Sequence, residues 1–495
     1  MKLAGVVLAA GLGTRMNSSA SGGLPKVLHK LHGTTMLQHV LNTLHKLKPQ
    51  KIVIIVGKHF KEIKESLQDV SKPSFAQQKE AKGTGDALLK ALPSLRSFKG
   101  TVAVINGDTP LITPETLKKF LSLHEKSMNT ISILSFVSQQ PSSYGKVMRH
   151  ERGNVLSIVE NRNATMSQKK IKEVNSGIYA IEPEGLCLLK EIKLNESKGE
   201  YYLTDIVSIA RDKGIKVDAF CIGSEDECIG INTREELDRA RQLMKDRIIK
   251  RWLYRGVTFV DTNSVFISSN IHIGRGTIVY PNVHLEGNTK IGKRCTIYPN
   301  VRILNSIIGD GAVIKDSTLI EGSVVKRKAS VGPFAHIRPG SEIGAGARIG
   351  NFVEVKKSVI GSGTKASHLT YLGDAKIGKD VNIGAGTITC NYDGYKKNIT
   401  TIEDHVFIGS DSQLIAPVKI GKGAYVGAGS TITNDVPSKA LALSRVEQKH
   451  FESWAIKRQL KVKSEQLKVK GAKSKERRSK RKVQSERSKV QSAKS

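Results

Sequence analysis

Two sets of residues in this chain have the types and spacing to handle phosphorylated substrates. The first lies near the N-terminus, where the apolar run Leu3 to Ala10 leads into Gly11-Leu12-Gly13-Thr14-Arg15 and then Leu24-Pro25-Lys26. Glycine lets backbone N–H groups approach phosphate oxygens, and Arg15 and Lys26 can neutralise the charge of a triphosphate. The loop lacks the third glycine of a dinucleotide fingerprint and the Gly-Lys-Ser/Thr of a Walker loop, so alone it says little. Its conjunction with Gly83-Thr84-Gly85 and Asn106-Gly107-Asp108 says more. The second set, Arg338, Lys356-Lys357, His368, Tyr371 and Asn391, is what an anionic, amine-bearing substrate needs: cations for the anion and an imidazole that exchanges protons near neutral pH.

Two kinds of element must position these residues. The strand Leu3 to Ala10, a helix from Thr35 to Leu47, and strands Lys51 to Val56 and Thr101 to Ile105 alternate as in an α/β, Rossmann-like domain. Ligands in such sheets bind at the carboxyl ends of parallel strands, where both motifs fall. From Ile273 to Ile432 an aliphatic residue returns every sixth position, as in Ile273, Val279, Leu285, Ile291, Ile297 and Ile303. Neither a helix nor an alternating strand has that period, so the chain turns a corner once per repeat and three repeats close one coil of a parallel β-helix. Two polar departures from the array are expected, Ser362 to Ala375 and Cys390 to Tyr395, and functional residues of repeat folds tend to lie on such excursions.

With 495 residues the chain can form two or three domains. Its net charge is +34, of which residues 456–495 supply +13 from sixteen Lys or Arg and three Glu. That tail has no aromatic after Trp454 and is expected to be disordered; its charge attracts nucleic acid or anionic membrane non-specifically, falling with salt, unless it is only a solvated extension. Five cysteines show neither metal-binding spacing nor a disulfide framework and fit a reducing cytoplasm. The lysine and apolar run at the N-terminus superficially resemble a signal peptide, but glycines cut the run short, and no stretch approaches a membrane span.

The motifs Leu8 to Met16, Leu24-Pro25-Lys26, Gly83-Thr84-Gly85, Gly107-Asp108, Gly199 to Asp205, Gly230-Ile231-Asn232 and Ile388 to Gly394, in this order, closely resemble the bacterial family of bifunctional N-acetylglucosamine-1-phosphate uridyltransferases and glucosamine-1-phosphate acetyltransferases. The match covers about residues 3 to 446 and leaves out only the basic tail. The resemblance implies a nucleotidyltransferase domain over 1–233, a linker helix over 234–254, a left-handed β-helix of hexapeptide repeats over 255–447 and the tail over 448–495. It further implies a cytoplasmic homotrimer with acetyl sites shared between subunits. Glucosamine 1-phosphate would be acetylated from acetyl-CoA, and the product would attack UTP to give UDP-N-acetylglucosamine, which feeds peptidoglycan and lipopolysaccharide synthesis, and pyrophosphate.

Attack of one phosphate on another is opposed by charge, so a metal is expected, with Asp108 and Asn232 as a sparse oxygen set suited to Mg²⁺. By resemblance Leu8, Ala9, Ala10, Gly11, Arg15 and Lys26 hold the nucleotide, Gln78, Gly83 and Thr84 read the uracil, and Asn106, Gly145, Glu160 and Asn175 complete the sugar side. His368 would be the general base of acetyl transfer, with Glu354 as a candidate to orient it. Arg338, Lys356, Tyr371 and Asn382 would bind the sugar phosphate, and Ala385, Asn391, Tyr392, Ser410, Ala428 and Arg445 the acetyl-CoA. No cysteine nucleophile is required. The chain departs from the family pattern at Asn106 for Tyr, Asp86 for His, Lys146 for Arg and Arg162-Asn163 for Lys-Asp, which predicts a weakened uridylyl transfer. Two rival readings are a single-function sugar-1-phosphate nucleotidyltransferase with a regulatory solenoid and a non-catalytic scaffold.

Overall fold

The computed structural model describes residues 2–11, 13, 16, 23–67, 73–139, 143–196 and 198–492. Its N-terminal sheet runs, in spatial order, Val217–Gly223, Ile131–Val137, Glu173–Ile181, Thr101–Asn106, Leu3–Ala9, Lys51–Val56, Ser74–Gln77. Leu3–Ala9 is central and parallel to both neighbours, and all but one of its residues are buried, as suits a strand covered on both faces. Leu8 pairs with Asn106, which sets the start of the glycine loop beside the segment that carries Asp108. The first long helix covers Met36–His45, shorter at both ends than expected. Thr35 is its cap: Gln38 N donates to Thr35 Oγ1 at 3.2 Å.

A second long helix, Arg234–Tyr254, starts immediately after Asn232 with a capping box between Thr233 and Glu236. It buries Leu237, Ala240, Met244, Ile248 and Trp252 at three- and four-residue spacing, the pattern of one helix face. One apolar cluster passes from Leu31 and Met36 through this face to Ile273 and on to Ile432.

The aliphatic array closes into a three-faced prism of two- and three-residue strands, with two nine-residue strands, Arg348–Lys356 and Lys365–Gly373, that each run around a corner. Its rungs stack in parallel, Ile273 on Ile291, Ile308, Val325, Ile343, Ile360 and Ile377, so a coil takes seventeen or eighteen residues. Each buried aliphatic contributes on the order of 1.5–3 kcal/mol, which one coil alone could not secure. Between Ile303 and Val331, where the six-residue phase lapses in the sequence, the core is unbroken: Ile308, Ile314, Ile320 and Val325 are buried, with five-residue steps at two corners.

The two expected departures differ. Lys365–Gly373 is one continuous strand paired with Arg348–Lys356, and Ile360 stacks on Ile377 at the ordinary coil length, so no loop leaves the prism at His368. Ala366 and Leu372 stay buried while His368 and Leu369 turn outward at a corner between two faces; the polarity taken for a loop is that of an exposed corner. The second departure is an insertion. Ile377 pairs with Ile402, a coil of twenty-five residues, and the excess bulges out after Ile388–Cys390 and is pinched by a Tyr392–Lys397 bridge.

Packing unites Met1–Ala442 in one body and sets Leu443–Ser495 apart as another. In the second body the tail expected to be disordered is a 39-residue helix, Trp454–Ser492. Lys, Arg, Gln, Glu and Leu, which favour helix, outnumber the serines and valines among them, and Gly471 is the one strong breaker, with no proline present. The lack of apolar surface shows instead as exposure of every residue from Trp454 to Lys489. Among the described residues no helix is long and apolar enough to cross a membrane.

Candidate active sites

At the carboxyl ends of the central strands lies a cavity of about 550 Å³, lined by Leu8, Ala9, Ala10, Gly11, Lys26, Gln78, Gly83, Thr84, Asn106, Asp108, Glu160 and Asn232. An adjoining cavity of about 410 Å³ shares Asn106, Asp108, Glu160 and Asn232 and adds Gly145, Asn175 and Arg162. Every residue expected on the nucleotide and sugar side is thereby gathered, except Arg15, which lies outside the described residues.

The two expected metal ligands converge on one cation. Lys26 Nζ donates to Asp108 Oδ2 and, at 3.0 Å, to Asn232 Oδ1. Asn232 is held in that orientation by Nδ2 donating to Gly230 O at 3.1 Å, and its backbone N–H donates to Glu236 Oε2 of the capping box at 2.6 Å. A carboxylate and an amide oxygen aimed at one positive charge fit a hard divalent ion that draws its remaining ligands from water and substrate phosphates. Among the described residues no cluster of three His, Cys, Asp or Glu would hold a metal unaided.

Gly83 sits at φ +93°, where a Cβ would lie 2.5 Å from Tyr201 O, so the chain needs glycine there to bring Thr84 and Tyr201 together. Gln78 Nε2 donates to Gly83 O at 3.0 Å and to Asp86 Oδ2 at 2.8 Å, so the acid at position 86 holds this glutamine in place. Asn106 presses its amide against Gly177, which at φ +77° leaves no room for a Cβ. Lys146 is buried, and burial pulls its ammonium below the usual lysine range. Burial pushes the Glu160 carboxyl up, Asp205 and Glu200 add to the rise, and the Thr204 hydroxyl, donating at 3.1 Å, opposes it.

On the prism the expected acetyl-transfer residues divide between two edges of one face. His368 stands on the first edge, and its corner stacks directly on that of Ala385, because Gly386 N donates to Leu369 O at 2.7 Å. Asp411 N donates to Ala385 O and Gly429 N to Ser410 O, which brings Ser410 and Ala428 onto the same edge in successive coils. On the face between the edges, Arg338 Nη1 donates to Glu354 Oε1 at 2.8 Å, and Glu354 pairs across the ladder with Tyr371. The second edge carries Lys356, whose Nζ lies 3.7 Å from Asp374 Oδ2, and Asn391, whose Nδ2 donates to Asp374 Oδ2 at 2.5 Å and to Tyr371 Oη at 3.4 Å. Tyr392 follows on the inserted loop beneath Lys397, 4.4 Å from its ring centroid. Asn382 lies apart from Arg338 and Lys356: it pairs across the ladder with Lys365 on the face before the His368 corner. Arg445 belongs to the separate body that begins at Leu443.

Glu354 does not orient His368, since it is engaged with Arg338. The orienting group is Asn351, whose Oδ1 lies 3.1 Å from His368 Nδ1. Asn351 and Asp374 were both missed from sequence. Each lies seventeen residues, one coil, before the residue it touches, and that spacing is the signal that would have found them. The five cysteines are free thiols, and burial pushes the Cys390 thiol up, away from a reactive thiolate.

Residues 5–173 match the family model of MobA-like NTP transferase domains, residues 262–342 that of the GMPPB C-terminal domain, and residues 399–434 that of the bacterial transferase hexapeptide (six repeats). The chain is 51% identical over 454 residues to the bifunctional protein GlmU of Thermodesulfovibrio yellowstonii, covering 92% of this chain and 99% of that protein. It is 44% identical to the namesake of Shouchella clausii over 91% of this chain and 98% of that one, and 44% identical to that of Streptococcus thermophilus over 92% and 97%. A nucleotidyltransferase sheet and a hexapeptide prism, each with its own polar site, joined in one chain that aligns with these proteins almost end to end, place it in the GlmU family of bifunctional acetyltransferase and uridylyltransferase enzymes.

Proposed function

We propose that the chain makes UDP-N-acetylglucosamine in two steps, with acetyl transfer on the prism and uridylyl transfer at the sheet. In the first, the amine of glucosamine 1-phosphate attacks the thioester carbonyl of acetyl-CoA. The C–N bond forms, the C–S bond breaks, and the coenzyme leaves as its thiol. Asn351 accepts from His368 Nδ1, which leaves Nε2 to take the proton from the amine. Arg338, Lys356 and Tyr371 bind the sugar phosphate, and Asn391, whose Nδ2 reaches Tyr371 Oη, would meet the acetyl-CoA beside it. Ala385, Ser410 and Ala428 give an edge along which acetyl-CoA can lie.

In the second step a phosphate oxygen of N-acetylglucosamine 1-phosphate attacks the α-phosphorus of UTP, and pyrophosphate leaves. Asp108 and Asn232 would hold Mg²⁺, which when bound neutralises the phosphates. Lys26, released from those oxygens, turns to the phosphates, while Gln78, Gly83 and Thr84 select the uracil and Gly145, Glu160 and Asn175 seat the sugar.

The single observation carrying this reading is the convergence of Asp108 and Asn232 on one cation at the mouth of the glycine-loop cavity, on the same chain as an oriented, exposed His368. The protein acts in the cytoplasm as a homotrimer. One chain sets His368 and Asn391 on opposite edges of a prism face, so a groove between neighbouring prisms would join them. Glucosamine 1-phosphate, acetyl-CoA, UTP and Mg²⁺ supplied together should yield the nucleotide sugar, and omitting acetyl-CoA should abolish it. Mixing His368→Ala chains with Asn391→Ala chains should restore part of the acetyl transfer that each lacks; no restoration would refute shared sites.

A further inference from the structure

The helix Trp454–Ser492 has no place in either reaction, and the relatives show that it is an addition: 454 residues of this chain already account for 99% of the Thermodesulfovibrio protein. It carries fifteen Lys or Arg and three Glu, with a single i,i+4 ion pair, Lys480 to Glu476, among its described residues. At about 100° per residue these cations do not form a stripe. Lys457, Arg458, Lys463, Lys473 and Arg478 already point to every side of the axis, and all are exposed. A membrane-bound helix needs an apolar face opposite a basic one, and here only Ile456, Leu460 and Leu467 share a side near the start, with no apolar face running the helix's length.

From its all-round charge we infer that the helix is a docking element for duplex DNA, held by the phosphate backbone without reading sequence. A helix of about 10–12 Å diameter enters the B-form major groove, which is about 12 Å wide. Lying there it meets phosphate walls on both sides, so cations all round the axis are used, whereas a flat anionic surface would engage only one side. The groove of A-form RNA is too narrow to admit it. Neighbouring like charges such as Arg477 with Arg481 and Arg478 with Lys482 repel at i,i+4 in free protein, and intervening phosphates would relieve that repulsion.

The test is fluorescence anisotropy with a labelled 24-base-pair DNA duplex, the matching RNA duplex, and phosphatidylserine-containing vesicles. It compares the full chain with a full-length variant carrying Gln at Lys473, Lys475, Arg477, Arg478, Lys480, Arg481 and Lys482. The expected result is DNA binding that weakens by about 10³-fold or more between 50 and 200 mM salt, with a log–log salt slope flattened by about six in the variant. Both enzymatic activities should be unchanged by the substitutions, which keeps this outcome separate from the functional assignment. Equal or tighter binding to the RNA duplex or to vesicles, or DNA affinity unaltered in the variant, would overturn the proposal.

Discussion

Nδ1 of His368 faces Oδ1 of Asn351 across one coil of the prism at 3.1 Å, and this contact engages Nδ1 and leaves Nε2 as the nitrogen for the proposed base chemistry. His368→Ala should lower acetyl-transfer kcat by about 10²–10⁴-fold, the usual worth of a placed base, and leave uridylyl transfer untouched. Asn351→Ala should cost less, about tenfold, because the ring loses its orientation but keeps its chemistry. Asn351→Asp puts a carboxylate beside the imidazole, favours its charged form, and should move the acid limb of the acetyl-transfer pH profile to higher pH. A profile that stays in place in Asn351→Asp would remove Asn351 from this role.

With Asp108 and Asn232 as the proposed metal ligands, the two activities should separate by their demand for metal. Chelating divalent ions should stop pyrophosphate release while N-acetylation continues. Asp108→Ala should lower uridylyl transfer by roughly 10³-fold, equivalent to several kcal/mol of charge stabilisation, at unchanged acetyl transfer. Parallel loss of both activities would point to a folding defect instead, which circular dichroism would reveal.

Gly373 is where the second edge of the prism is most crowded. A Cβ there would overlap Tyr371 Oη and come within 2.7 Å of Asn391 Nδ2. Gly373→Ala should push these two side chains apart and raise KM for glucosamine 1-phosphate about tenfold, in line with the roughly 1–3 kcal/mol of an overpacked site. Steady-state kinetics of both half-reactions would check it, with KM for UTP as the internal control.

Glu160 trades stability for a carboxylate in the wall shared by the two adjoining cavities. Its carboxyl is raised by burial and by Asp205 and Glu200, so between its unfolded and folded values the native state holds more protons than the unfolded chain, and stability falls as pH rises through that window. Glu160→Gln removes this loss. Its melting temperature should exceed that of the parent at pH 8, and the gain should vanish at a pH below the ordinary carboxylate range, where both states are protonated. The sugar phosphate KM should rise about tenfold if a charge-assisted hydrogen bond is lost. A gain that persists unchanged at low pH would contradict the assignment.

The broad architecture was legible in the sequence because each layer has its own period: Leu3–Ala9 reads as a buried strand, and the returns from Ile273 to Ile432 read as a prism. The glycine-loop site was legible because its residues stand at strand ends. Two features misled for the same reason, that polarity alone does not tell an excursion from a surface. The corner at His368 is as polar as the inserted loop after Cys390, yet only the latter lengthens its coil. In the tail, low apolar content meant absence of a core, not absence of helix. Asn351 and Asp374 escaped notice because contacts in a solenoid are made seventeen residues away, and neither residue has a motif of its own.

The long coil has one more implication. Its extra residues emerge at a single corner while Ile377 still stacks on Ile402 and Ile402 on Ile420, so the column beneath is indifferent to what is attached there. The protruding segment is thus a replaceable mouthpiece. Exchanging it for shorter or differently charged versions should retune which acyl donor is admitted while the barrel of the instrument keeps its melting temperature.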